Sequence, residues 1–448
     1  MKNKVTFIDL FAGIGGLRLG FENACKEAGL ITECLLTSEI KPHALRVLNK
    51  NFGDHNLVGD ITQISEKNIP DFDFLLAGFP CQPFSAGGKR LGFTDTRGTL
   101  FFEIERILKE KRPYGFILEN VEGLVKHDLE NKSDKIGRTL KTILYNLEYK
   151  LGYKVNWGVL DSKDFALPQQ RKRVFIVGTK NNKVSLNGYD PKYKNLESIL
   201  EKGIETMNTE FTEKLISHFG INELKGKSIK DKRGGQNNIH SWDIELKGEV
   251  SPVQRKLLNT LFKERRRKIW AEEIGIKWMD GMPLTIDQIQ TFFNVPELKK
   301  LLDDLVEKGY LKYEHPKTLV EEKTLRGIKK YRVSDPRLKR GYNIVTGKLS
   351  FEINKILDPK DIAPTLVATD VARIAVTDGK GLRKLTKREG LRLFGFPEWF
   401  ELPVAIDDAY DLLGNTVAIP VVENVAKNLL KEYKQSYLTS NLIPVCCE

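Results

Sequence analysis

Gly78-Phe79-Pro80-Cys81-Gln82-Pro83-Phe84-Ser85 directly follows an apolar run, residues 72–77, that has the pattern of a buried strand. Pro80 and Pro83 fix the backbone angles around Cys81 and remove two amide donors, so the strand should end there. Because open parallel sheets bind ligands at the carboxyl ends of their strands, Cys81 would lie at a ligand-binding edge. Cys81 is therefore a candidate nucleophile; the alternative is a small buried residue, as most free cysteines are.

A second apolar run, residues 5–11, ends in the glycine-rich turn Ala12-Gly13-Ile14-Gly15-Gly16, and a helical pattern follows from Leu17 to Ala24. The order of strand, glycine turn and helix is typical of nucleotide-type cofactor sites. Glycines let the backbone approach the ligand, and the helix N-terminus offers amides. The glycines do not follow the GxGxxG spacing, so a dinucleotide is not predicted. A plain tight turn is the alternative interpretation.

Acidic residues follow three further strand patterns. Glu39 is placed to accept hydrogen bonds from ribose hydroxyls, Asp60 could bind an adenine amino group, and Glu119 follows the apolar run 116–118. Taken singly, each could be an exposed loop carboxylate. In series, four strand ends that are each followed by a helical stretch predict a doubly wound, Rossmann-like α/β sheet with one shared carboxyl edge.

The composition restricts the class of protein. A chain of 448 residues should exceed one domain, and a formal charge of +12 with a pI near 9.2 indicates a polyanionic partner, most simply nucleic acid. The five cysteines form no CxxC pair, which argues against a disulfide scaffold or a zinc site and fits a reducing cytoplasm. No metal site is predicted, and no apolar run is long enough to predict a membrane span.

The segment around Cys81, continued by residues 92–100, resembles the catalytic loop of the DNA cytosine methyltransferases that modify carbon 5. Further blocks of that family match at Glu119-Asn120-Val121 and at residues 167–178, 383–397 and 412–422. The resemblance implies a methyltransferase domain of the Rossmann-like class and a second, smaller target-recognition domain. It also implies S-adenosylmethionine as the cofactor and double-stranded DNA as the partner.

The resemblance further implies three groups of site residues. The cofactor would be held by Phe11, Gly13, Ile14, Gly15, Glu39, Ile40, Asp60, Ile61, Pro80, Leu100, Asn415, Thr416 and Val417. The catalytic group would be Cys81, Glu119, Arg171 and Arg173. DNA would be contacted by Thr365 and by a glycine-rich lid containing Ser85, Lys89, Arg90 and Arg97.

These residue types suit the chemistry of cytosine. Carbon 5 is too weak a nucleophile to attack a sulfonium methyl group, but addition of the Cys81 thiolate to carbon 6 would convert it to an enamine. Glu119 would protonate ring nitrogen 3; its alternative role is a helix N-cap. Arg171 and Arg173 alternate on one face and could reach the base carbonyl or the flanking phosphates. Because the base is stacked inside the duplex, it must first be rotated out, which costs a few kcal/mol.

The positions at which the family-like sequence blocks end and begin again predict the domain boundaries. We predict a cofactor-binding and catalytic domain at 1–183, a target-recognition domain at 184–403, a return to the first domain at 404–435 and a tail at 436–448.

Within the recognition domain, residues 250–335 are similar to a winged helix-turn-helix. Helices are predicted at 252–268, 285–293 and 296–308, followed by a hairpin that pairs 310–313 with 328–333. This unit would contact DNA or, alternatively, brace the recognition loops. Sequence reading is assigned to Gln236 and Asn237, because amides pair bidentately with adenine. Arg265, Arg266 and Arg267 would instead hold phosphate.

Together these features predict a DNA cytosine methyltransferase acting on carbon 5. It would be a monomer in the bacterial cytoplasm that protects DNA from a cognate restriction endonuclease. One alternative is a transfer-RNA methyltransferase, which the recognition region of roughly two hundred residues disfavours. The other is a DNA-binding regulator on a silent scaffold, which the intact catalytic positions disfavour.

Overall fold

The structure is a computed structural model, and it describes residues 3–53, 56–80, 100–131, 133–231, 235, 237–324, 327–346, 351–368 and 370–440. Six of the predicted site residues lie outside these ranges: Cys81, Ser85, Lys89, Arg90, Arg97 and Gln236.

A seven-stranded sheet forms the centre of the first part of the chain. Its strands are β1 (Lys4–Leu10), β2 (Ile31–Ser38), β3 (Leu57–Val58), β4 (Phe74–Gly78), β5 (Gly115–Val121), β6 (Lys154–Asp161) and β7 (Lys172–Thr179). They lie in the order β3-β2-β1-β4-β5-β7-β6. Strands β1 to β5 pair in parallel, whereas β7 is antiparallel to both β5 and β6. The predicted doubly wound sheet is confirmed, and the carboxyl ends of β1 to β5 share one edge.

Twelve α-helices are described. They are α1 (Gly16–Glu27), α2 (Pro42–Phe52), α3 (Leu100–Lys111), α4 (Arg138–Tyr145), α5 (Glu210–Glu223), α6 (Pro252–Glu264), α7 (Ile269–Glu273), α8 (Ile286–Gln290), α9 (Leu298–Glu307), α10 (Lys387–Leu393), α11 (Ile406–Asn415) and α12 (Ile419–Ser440). A π-helical turn, Asn146–Lys150, continues α4. None of the described helices combines the length and the apolar character needed to cross a membrane.

The strands of the sheet are apolar on both faces, which explains their continuous hydrophobic runs. In β4, Phe74 and Leu76 belong to a core that includes α1 and α12, whereas Leu75 and Ala77 belong to a second core with α3 and α4. Helix α1 can approach α12 closely because Gly20 has no side chain: a Cβ atom there would lie 2.6 Å from Cβ of Val422.

The chain divides into two compact units. Unit 1 comprises Met1–Glu201, Pro359–Ala372 and Leu385–Glu448, and unit 2 comprises Lys202–Asp358 and Arg373–Lys384. The block at 385–397 and the segment that contains Thr365 therefore belong to unit 1, although they lie inside the range predicted for target recognition.

Unit 2 contains the remaining strands: β8 (Ser228–Ile229), β9 (Asn238–Ile239), β10 (Leu311–Glu314), β11 (Lys317–Thr324), β12 (Gly327–Ser334), β13 (Gly341–Ile344), β14 (Lys355–Leu357), β15 (Ile374–Asp378) and β16 (Gly381–Lys384). Five of them form a sheet in the order β16-β15-β14-β8-β9. Residues 242–344 form a separate apolar core from helices α6 to α9 and strands β10 and β13, and we call them the helical subdomain.

The local signals of the helical subdomain predicted α6, α8 and α9 but neither α7 nor the strand pairing. Ser251 with Gln254 and Thr285 with Gln288 form capping boxes that begin α6 and α8. The predicted hairpin is wrong: β10 pairs with β13, and β12 pairs with β11. Helix α6 also ends before the predicted position, at Glu264, and α7 begins at Ile269. The Arg265 side chain is buried and donates to Asn343 (2.8 Å), which corrects its predicted contact with phosphate.

Candidate active site

Glu119 lies near the end of β5 with its side chain beside that of Arg173 on β7. The antiparallel register pairs Val121 with Arg173 and Glu119 with Phe175, so Glu119 and Arg173 are diagonal neighbours on one face. Arg173 Nε lies 3.0 Å from Glu119 Oε1, although the angle is not that of a hydrogen bond. Glu119 is only 8% exposed. The sheet therefore holds a buried carboxyl group against one fixed cation.

Burial raises the pKa of the Glu119 carboxyl, because the ionised form loses its hydration. The cations Arg173 and Arg171 act in the opposite direction and lower the pKa, but the net shift is upward. A carboxyl group in this setting keeps its proton at higher pH than a free glutamate. It can therefore donate a proton to a base nitrogen.

Arg171 has a different position from its neighbour and corrects the prediction of a base or phosphate contact. The residue is 2% exposed, and its guanidinium donates to the carbonyls of Leu366 (2.9 Å), Gly414 (3.1 Å) and Thr416 (2.6 Å). Burial lowers the pKa of Arg171 to about 9, which leaves the group charged at neutral pH. The residue alternates with Arg173 in sequence, but its donors are used to join two distant segments of the chain.

The segment containing Thr365 is hydrogen-bonded to Gln170, which precedes β7. The Thr365 hydroxyl donates to the carbonyl of Gln170 (2.7 Å), and the Gln170 amide donates to the carbonyl of Ala363 (2.8 Å). These hydrogen bonds hold Thr365 beside Gln170, just before the basic residues 171–173. Thr365 is exposed at the surface of unit 1.

The glycine turn after β1 is joined to the end of β2 by Glu39. The Gly13 amide donates to Oε2 of Glu39 (2.8 Å), and the amides of Ile40 and Lys41 donate to Oε1 (2.8 Å each). Phe11 and Gly13 both adopt left-handed backbone angles, with φ of 56° and 57°. Glu39 therefore shapes the turn in addition to presenting a carboxylate at the sheet edge, where a carboxylate still has acceptor capacity.

The other predicted cofactor residues divide into exposed and buried positions. Asp60 is exposed, and its Oδ1 accepts the Thr62 amide (3.0 Å), which lowers the pKa of the carboxyl. Ile40 is 67% exposed. Ile14 and Ile61 are each 1% exposed, so both residues are buried, and their assignment to the cofactor stays a prediction.

The C-terminal segment around Thr416 packs against the glycine turn. A Cβ atom on Gly16 would lie 3.0 Å from both Thr416 Oγ1 and Val417 Cγ2, so these residues pack directly on the start of α1. The side chain of Asn415 donates instead to the carbonyl of Asp411 (2.8 Å) and is exposed. Pro80 is exposed beyond β4, and Leu100 begins α3 at a partly buried position.

Two residues that received no role from the sequence also position this edge. Asn120 donates to the carbonyl of Phe79 (3.1 Å) and accepts the Val121 amide (2.8 Å), so it ties the end of β5 to the residues before Cys81. Asp411 accepts the Lys41 ammonium (2.7 Å) and so ties α11 to the start of α2. The Glu-Asn-Val triplet was a signal for Asn120; no local pattern could have paired Asp411 with Lys41.

This chain is similar to known DNA methylases and methyltransferases. The family model described as C-5 cytosine-specific DNA methylase matches residues 5–431. Type II methyltransferase M.NlaIV of Neisseria lactamica is 56% identical over 427 residues, which cover 95% of this chain and 99% of that protein. Type II methyltransferase M.BanI of Aneurinibacillus aneurinilyticus is 40% identical over 454 residues, with 96% of each chain covered.

A solved structure supports the fold alone. The Entamoeba histolytica methyltransferase EhMeth is similar with a TM-score of 0.52 and 15% identity, over 96% of this chain and 99% of that chain. The family match and the identities above carry the assignment. The chain therefore belongs to the C-5 cytosine-specific DNA methylases and is a DNA (cytosine-5-)-methyltransferase of the Type II, restriction-modification kind.

Proposed function

We propose that this enzyme transfers the methyl group of S-adenosylmethionine to carbon 5 of a cytosine rotated out of a specific double-stranded DNA sequence. The observation that carries the proposal is the Glu119 carboxyl, which is buried beside Arg173 and has a raised pKa. A protonated carboxyl can donate to ring nitrogen 3 of cytosine, whereas an ordinary ionised glutamate cannot. This is the proton that the reaction needs.

Cys81 would supply the nucleophile, as proposed from the sequence. Its thiolate would add to carbon 6 while nitrogen 3 takes the proton from Glu119, and carbon 5 would become the nucleophilic carbon of an enamine. After methylation of carbon 5, loss of its proton and expulsion of Cys81 would restore the aromatic ring, and the proton on nitrogen 3 would return to Glu119. Arg173 would steady the carboxylate that Glu119 becomes when it gives up its proton.

S-adenosylmethionine supplies the methyl group as an electrophile, and the residues at the sheet edge fit it. The left-handed turn at Phe11 and Gly13 leaves space beside Gly13, where a Cβ atom would meet no atom of the described residues within 4 Å. Glu39 and Asp60 provide acceptors for ribose and adenine, and the exposed Ile40 side chain provides an apolar surface for the purine.

The biological role proposed is protection of host DNA from a cognate restriction endonuclease in the bacterial cytoplasm, with the enzyme acting as a monomer. The Type II names of the relatives support this role. Bisulfite sequencing of DNA from a host that expresses the protein would identify both the methylated cytosine and its sequence context.

Trapping of a covalent adduct tests the chemistry. With duplex DNA containing 5-fluorocytosine at the methylated position and S-adenosylmethionine present, we expect the wild-type enzyme to form a stable adduct, because fluorine cannot leave as a proton. Cys81→Ser should form none, whereas the control Cys446→Ser, in the C-terminal tail, should form it normally. Failure of the wild-type enzyme to form the adduct would remove Cys81 from the mechanism. An adduct with transfer RNA but not with DNA would support the alternative substrate.

A further inference from the structure

Helix α6, in the helical subdomain of unit 2, has a basic face. Lys256 and Lys263 are exposed and have no acidic partner among the described residues. They are seven residues apart and therefore lie on one side of the helix, about 10 Å from each other along its axis. Arg255 and Arg266 flank them and are paired with Glu245 (3.1 Å) and Asp280 (3.2 Å).

Two adjoining surface depressions run along this face, and Asn259 and Lys263 line both of them. One continues over Lys256 and Thr260, and the other continues toward Asn238 and Arg266. The lining includes the long cationic side chains of Arg255, Lys256, Lys263 and Arg266, together with two carboxylates, Glu264 and Asp243. Such a groove fits an extended polyanion better than a compact small molecule.

The hydrogen bonding of Asn259 determines which of its side-chain atoms remains for a ligand in this groove. Its Oδ1 accepts the indole N–H of Trp242 (3.0 Å), and Trp242 is completely buried. Because an indole nitrogen can only donate, the amide oxygen must face it, so Nδ2 is the atom left for a ligand. Asn259 can therefore donate to a phosphate oxygen, but it cannot make the bidentate contact with adenine that needs both atoms.

The helix that a winged helix-turn-helix would place in the major groove lacks a basic face, in contrast to α6. In this subdomain α9 occupies that position, since it precedes the strand β10 and the hairpin β11–β12. Its lysines are all neutralised locally: Lys299 pairs with Asp303, Lys300 with Glu297 and Lys308 with Asp304. Helix α9 thus offers no net positive surface to DNA, whereas α6 does.

We propose that the α6 face, built on Lys256, Asn259 and Lys263, is a binding surface for the sugar-phosphate backbone of duplex DNA. It would add affinity and orient the duplex without reading its sequence. The proposal rests on DNA being the substrate, and it places the contact on α6 instead of on the helix that the winged-helix resemblance would select.

The salt dependence of binding by the full-length protein tests the proposal. The probe is a duplex that lacks the methylation target, titrated at several salt concentrations without cofactor. Each phosphate neutralised contributes about 0.9 to the slope of log K against log salt, so Lys256→Gln/Lys263→Gln should reduce its magnitude by about 1.8. Lys299→Gln/Lys300→Gln removes the same charge from α9 and should leave the slope unchanged. An equal reduction in both variants, or a reduction only in the α9 variant, would overturn the proposal.

Asn259→Asp gives a second test that does not remove a lysine. The aspartate keeps an acceptor for Trp242, so the fold should be preserved, but it replaces the donor with a negative charge. We expect affinity for the same duplex to fall by about tenfold or more, with an unchanged midpoint of thermal unfolding. Wild-type affinity in Asn259→Asp would contradict the proposal, as would weakened binding of duplex RNA without weakened binding of DNA. Neither binding test requires methyl transfer. A failure of this proposal can therefore be distinguished from a failure of the proposed chemistry, which adduct trapping tests.

Discussion

At the scale of single residues, Arg171 and Arg173 show how two side chains of one motif acquire different tasks. Arg171 donates to three backbone carbonyls and is buried, so it positions the return of the chain. Arg173 lies against Glu119 and acts on its protonation. A substitution at either position should therefore alter a different property of the enzyme.

The pH dependence of methyl transfer should report the Glu119–Arg173 pair. Because Arg173 lowers the pKa of Glu119, Arg173→Gln should raise that pKa further and move the alkaline limb of the rate to higher pH. Glu119→Gln should slow the chemical step by about 10²–10⁴-fold and abolish this limb, since an amide has no proton to titrate.

Single-turnover rates at saturating DNA, measured from neutral to alkaline pH, check both variants. The position of the limb is independent of any loss of rate that Arg173→Gln causes through substrate contacts. An alkaline limb that stays at the wild-type pH in Arg173→Gln, or a slowing of less than about tenfold in Glu119→Gln, would count against this role.

At the scale of secondary-structure elements, the contact between α1 and α12 connects the two ends of unit 1. The contact depends on Gly20, where a Cβ atom would lie 2.6 Å from Val422 Cβ and 3.0 Å from the carbonyl of Ile419. Both neighbours belong to α12, whose backbone cannot move without disturbing the adjoining core. The cofactor turn and the segment at Thr416 are fixed relative to each other by the same pair of helices.

Gly20→Ala should therefore destabilise unit 1, by about 1–3 kcal/mol, because overpacking forces a backbone shift. Gly123→Ala is the matched control: its nearest neighbour would be Val121 at 3.8 Å, and the position is exposed. Urea unfolding gives the change in free energy, and hydrogen exchange of the α1 amides assigns it to this contact. Equal free energies of unfolding for the two variants would show that α12 can shift at Val422 to accommodate the added methyl group.

At the scale of the whole molecule, chemistry and sequence reading are expected to reside in different units. Glu119, Arg173 and the cofactor residues belong to unit 1, whereas Asn237 belongs to unit 2. Asn237 is exposed, and its backbone carbonyl accepts the amide of Ser228 (2.8 Å), which holds Asn237 against β8. We therefore propose that the exposed side chain meets a base, while the backbone carbonyl is anchored.

Asn237→Ala should lower the ratio of cognate to scrambled-duplex binding by about tenfold, since a bidentate amide contact discriminates by about 1–3 kcal/mol. Glu119→Gln should slow the reaction without changing that ratio. Competition binding with the two duplexes measures it directly. An unchanged ratio in Asn237→Ala would assign base reading to another part of unit 2.

By itself, the sequence determined the parallel sheet, its shared edge and the acidic residues at that edge. These features are local: strands that are buried on both faces need continuous apolar runs, and each polar residue follows its own strand. Capping boxes at Ser251 and Thr285 likewise marked helix starts within a few residues.

Only the tertiary structure decided which partners those residues meet. Arg171 contacts Leu366 and Thr416, and β10 pairs with β13 instead of with the nearer β12. Glu39 accepts amides from two separate segments, and Ile14 and Ile61 are buried. A side chain's partner depends on which distant segments pack together, because burial and hydrogen bonding are satisfied over the whole fold and not within a local window of sequence.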